Sequence, residues 1–156
     1  MLPSFAVRVA RTGTGWTVEL LAPDAASELP VLERALAGEG WPGPYVLVVD
    51  TRLYLVALVH GPGGMVRAMI SDGALPEFLL AAEVMERYGL EVVDATGTEN
   101  DEEEHPAGDL DVFADAGLPA ADLLGILTAD LWADEMVAAI AERLGFGAEL
   151  AAAVPA

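Results

Sequence analysis

The residues best equipped for chemistry are few. His105 follows Glu102, Glu103 and Glu104 in the stretch "TENDEEEHPAGD", and together they offer nitrogen and oxygen donors to a divalent cation. A cation site needs three or more ligands held by rigid backbone, whereas these side chains splay apart along an extended, self-repelling segment that Pro106 and Gly108 keep from becoming a helix. The stretch is expected to be a solvated tether. His60 stands where an apolar run enters "GPGG", and with no cysteine or serine elbow beside it the expected role is a strand-end polar group rather than a base. The glycines of "HGPGGM" match neither the spacing of a phosphate-binding loop nor a strand-to-helix dinucleotide turn, so a hairpin loop is expected. In "ISDG", Ser71 or Asp72 is placed to cap backbone amides before a helix. No catalytic residue, cofactor or metal ligand is assigned.

Composition narrows the classes further. The chain has 156 residues, 54% of them hydrophobic, and a net charge of -19, so the acid decorates a folded body rather than a disordered one. Absence of cysteine removes disulfides, thiolate nucleophiles and thiolate metal ligands at once. All seven basic residues are arginines. Arg8, Arg11, Arg52 and Arg67 make too thin a patch to overcome long-range repulsion from phosphate, so no direct nucleic-acid binding is expected. No run approaches the roughly 18 apolar residues of a membrane span, and the start carries no basic region before an apolar run, which predicts a soluble cytoplasmic protein without membrane contact.

The elements read as an α+β fold. Phe5, Val7 and Val9 alternate with Ala6, Arg8 and Ala10, and after "RTGTG" the alternation resumes at Trp16, Val18 and Leu20, which predicts a hairpin. Leu29, Leu32 and Leu36 share one helical face behind Pro30. "PYVLVVD" and "LYLVALVH" are apolar on both faces and belong inside a sheet covered on both sides. "MVRAMIS" restores alternation, and "PEFLLAAEVMERYG" predicts a largely buried helix stopped by Gly89.

The resulting order, β-β-α-β-β-β-α, predicts an antiparallel five-stranded sheet in residues 1–95, with the strands expected in the spatial order second, first, fifth, fourth, third. Residues 96–108 are expected to be an acidic linker, and residues 109–156 an all-α helical appendage. In that appendage Leu110 and Phe113 mark a short turn ended by Gly117. Leu123, Leu124, Leu127 and Leu131 then repeat the spacing seen at Met136, Val137, Ile140 and Leu144. Trp16 is expected in the core by phase and Trp41 in a connection. Trp132 lies between the tail helices, where hairpin core and partner anchor compete. The candidate partner-binding set is Trp132, Leu124, Leu131, Met136 and Phe146.

Three segments, taken in order, resemble a known family: "FAVRVARTGTGW", "VLVVDTRLYLVALVHGPGGMVRAMISDGA" and "GLPAADLLGILTADLWADEMVAAIAERLGF", with an acidic spacer between the second and third. The family is the actinobacterial tRNA adenosine deaminase-associated proteins, and the resemblance covers nearly the whole chain. It implies a tRNA-specific adenosine deaminase as partner and carries over no catalytic residue. The sequence departs from the family pattern in its relatively short spacer and in Arg52-Leu53, where more acid would precede the Tyr54 strand. A zinc deaminase needs cysteine on its metal, so this cysteine-free chain is not such an enzyme itself. The leading expectation is a non-enzymatic accessory protein that binds or regulates that deaminase. The alternative is a self-associating regulatory α+β domain, a homodimer, unconnected with RNA.

Overall fold

In the computed structural model, residues 4–13, 15–36, 44–60, 65–72, 78–90 and 106–154 are described. Alternation at the start of the chain folds as expected into β1 (Phe5–Thr12) and β2 (Gly15–Leu20). A 3-10 turn and α1 (Leu29–Ala35) follow, with Pro30 in the first turn, where its missing N–H breaks no helical bond. The apolar runs become β3 (Tyr45–Asp50), β4 (Tyr54–His60) and β5 (Val66–Ile70). Beyond them lie α2 (Leu79–Arg87), the two-residue β6 (Ala107–Gly108), α3 (Ala120–Leu127), α4 (Ala133–Leu144) and α5 (Gly147–Ala153).

The fold is α+β with an antiparallel sheet, but the sheet has six strands in the order β2-β1-β3-β4-β5-β6. The expected order, which paired the first strand with the fifth and left the third at an edge, is corrected. Burial gives the reason: Tyr45 to Val49 of β3 are at most 7% exposed, and an edge would have left one flank of that run in water. β3 therefore lies between β1 and β4, while β5, with half-buried Val66 and Arg67, lies further out. The sixth strand comes from residues assigned to the linker. Gly108 has φ +93°, and a Cβ there would collide with the Ala68 carbonyl oxygen, so only glycine lets the chain close on β5.

Pleating sends side chains alternately to two cores. Ala6, Val46, Val48, Tyr54, Val56, Leu58 and Ile70 face α1 and α2, joined by Leu29, Leu32, Leu36, Leu80 and Val84. α2 buries one face only, since Leu79 is 73% exposed. Phe5, Val7, Leu47, Val49, Leu55 and Met69 face the tail, where Phe113, Leu123, Leu127, Met136, Ile140 and Phe146 complete one cluster. Helices α3 to α5 and the sheet thus share a core, the second cover that strands apolar on both faces require. α5 was not anticipated, because the alanine-rich "GAELAAA" has too few large apolar residues to show a period. Among the described residues no helix is long and apolar enough to cross a membrane.

Candidate functional site

The most constrained part of the surface is the turn between β3 and β4. Thr51 and Arg52 both take positive φ, 53° and 61°, in a conformation that favours glycine or asparagine. Side chains hold it. Leu53 N donates to Asp50 O at 3.0 Å. The Asp50 carboxylate accepts from Tyr54 Oη at 2.7 Å and from Ser4 Oγ at 3.2 Å, and Ser4 Oγ in turn accepts from Thr51 N at 2.9 Å. Burial, then the bond to Asp50, pushes the Tyr54 phenol well above its ordinary pKa, so it stays a donor.

That turn projects Arg52 onto the start of α4. Arg52 Nε donates to Asp134 Oδ1 at 2.8 Å, its guanidinium carbon lies 4.9 Å from the centre of the Trp132 ring, and its carbonyl accepts from Ala133 N at 3.0 Å. The bond to Asp134 raises the Arg52 pKa. Asp134 is buried although charged, which fits its pairing and its place in the first turn of α4. Glu135 Oε1 accepts from Trp132 N at 2.9 Å and satisfies another helix-end donor. The outcome is an aromatic ring fixed in place yet 51% exposed, at a corner where Leu53 is 46% exposed.

The expected partner-binding residues separate. Trp132 is exposed, Leu131 and Leu124 are half-buried, and Met136 and Phe146 are core, 0% and 1% exposed. The Phe146 ring centre lies 5.3 Å from that of Trp16, which, expected in the core, is half-buried against it with Arg11 over its ring. Ser71 is buried and does cap an amide, but that of Leu55 across the sheet (2.9 Å), not one at a helix start. Asp72 is half-buried beside it. His60 ends β4, and its side chain lies outside what the structure describes. His105 with Glu102 to Glu104, the "GPGG" loop and Trp41 lie outside the described residues. Among those described, no group of three or more potential ligands is placed to hold a metal ion.

Five of the seven arginines are tied to partners within the fold. Arg52 pairs with Asp134, Arg67 with Asp109, Arg87 with Glu33 and Arg143 with Asp122, while Arg8 donates to the Ala35 carbonyl. At Asp109, burial favours the neutral acid, but the Arg67 hydrogen bond, the Asp111 N–H and the Arg67 charge outweigh it and hold the carboxyl below its usual range. Helices α4 and α5 also frame an apolar groove of about 350 Å³, lined by Phe5, Ala138, Leu150, Ala151 and Val154 with Asp134 and Glu142. Sequence reasoning missed the Arg52–Asp134 pair because its members are 82 residues apart. The one signal was an arginine in a tight turn where acid was expected.

Fold and corner define a layered α+β protein in which the β3–β4 turn is tied through Arg52 to the start of α4. Its relatives give the same class a setting. A family model described as Rv3753c-like tRNA adenosine deaminase-associated protein matches residues 4–147, and the chain belongs to that family. Protein Rv3753c of Mycobacterium tuberculosis (strain ATCC 25618 / H37Rv) is 30% identical over 153 residues, covering 96% of this chain and 87% of the relative. No solved structure matches.

Proposed function

We propose that this chain is a non-catalytic accessory protein that binds a tRNA-specific adenosine deaminase through its helical layer. The carrying observation is Trp132, half-exposed and held by Arg52 at the start of α4. Aromatic side chains ordered before contact lose little entropy on binding and dominate interface energetics. The surrounding charge gives the partner's character: residues 109–154 carry nine carboxylates against Arg143 alone, and Arg143 is tied to Asp122. An enzyme that acts on tRNA presents cationic surface to phosphate, and that surface complements this layer.

Sedimentation velocity on the two purified proteins tests the reading. A complex that forms at low salt and weakens as salt rises is expected; no complex at low salt overturns it. A chain ending at Thr98 is no control, because it would strip the cover from Val7, Leu47, Leu55 and Met69. Trp132→Ala is the better one.

One observation favours a second reading, the self-associating regulatory domain. β2 is a six-residue edge strand, and among the described residues nothing pairs with its outer side, so a second copy has a backbone to join. Light scattering decides: a monomeric mass at high protein concentration removes it.

A further inference from the structure

We propose that the groove between α4 and α5 seats a basic segment of the partner, one apolar side chain entering the groove while a flanking lysine or arginine meets Glu142. This rests on the deaminase-binding reading and names the part of the partner that is held.

The geometry comes from spacing. Asp134, Ala138 and Glu142 are four residues apart on α4, so they share a face, and the two carboxylates stand about 12 Å apart along the axis at 1.5 Å per residue. Between them the floor is apolar and the walls are small: Ala138 on one side, Gly147 and Ala151 on the other. A volume of about 350 Å³ accommodates a large side chain and its immediate backbone neighbours.

The ends differ electrostatically. Asp134 is already neutralised by Arg52, whereas no described cation pairs with Glu142, and its neighbour Arg143 is turned to Asp122. Gly147 leaves the room Glu142 occupies, since a Cβ there would meet the Glu142 carboxylate. An exposed carboxylate at one end of an apolar groove calls for a ligand that brings both a cation and an apolar group. An anionic ligand is repelled by the layer's carboxylates, and so is a second copy of this chain presenting the same face. The Arg52 guanidinium contacts both Asp134, which lines the groove, and the Trp132 ring, so the aromatic corner lies next to the groove's Asp134 end.

Calorimetry with the purified deaminase as titrant tests the assignment. Ala138→Trp and Ala151→Trp fill the groove from exposed positions, and each is expected to weaken binding by about tenfold or more. Glu142→Gln is expected to weaken it about threefold and to make its salt dependence slightly shallower, since one of nine carboxylates is removed. Should Ala138→Trp fail to fold, Ala151→Trp and Glu142→Gln decide. Folded groove variants that bind like the unaltered chain while Trp132→Ala binds poorly overturn the groove and leave the accessory reading standing. No binding by the unaltered chain overturns both.

Discussion

Replacing Trp132 by alanine removes a ring whose exposed half is available for contact. A tryptophan side chain buries about 150–250 Å² in a core or interface, so its 51% exposure leaves roughly 75–125 Å² to be covered on docking. At about 25 cal/mol per Å² that is about 2–3 kcal/mol, or roughly a 30- to 150-fold weaker Kd. The buried half of the ring contributes to folding instead, so the variant also loses stability, and binding must be read where circular dichroism shows it folded. Trp132→Phe should recover part of the affinity, since a smaller ring can still lie under Arg52. Calorimetry against the deaminase gives both values. A folded Trp132→Ala protein that binds within threefold of the unaltered chain would refute the aromatic-anchor reasoning.

Three further outcomes follow from particular contacts. Ser71→Ala orphans the buried Leu55 N–H and should lower unfolding free energy by about 1–3 kcal/mol in a urea titration. Asp109, whose folded pKa lies below the unfolded value of about 3.9, gives stability that is complete above that value and lost as pH falls through the folded one; Arg67→Gln should therefore shrink the drop in stability between about pH 5 and pH 3. If the acidic layer covers cationic surface that tRNA also uses, adding this protein should raise the deaminase's apparent KM for tRNA, less so at high salt. A KM that stays flat at low salt would separate binding from competition.

The sequence-level reading succeeded where the signal is local. Leu29, Leu32 and Leu36 are all buried, and Gly89 takes the positive φ of a helix stop at 59°. Ser71 shows the limit: its short polar side chain marked it as an amide cap, but which amide it caps depended on a strand 16 residues back. Met136 and Phe146 fell out of the candidate surface for a related reason. Amphipathic spacing reveals that a helix has an apolar face, and not whether sheet or partner covers it.

The amino-acid sequence alone determined the α+β class, the strands and helices that carry strong periodicity, the exclusion of thiol chemistry, and the segregation of acid toward the tail. These follow from side-chain period and residue inventory, which backbone geometry imposes within each segment. Only the tertiary structure decided that β3 pairs with β1 and β4, that Ala107 and Gly108 close the sheet, and that Arg52 reaches Asp134 and Trp132. These depend on fit between distant segments: a doubly apolar strand needs neighbours on both edges, a glycine must meet a particular carbonyl, and a buried carboxylate needs its cation.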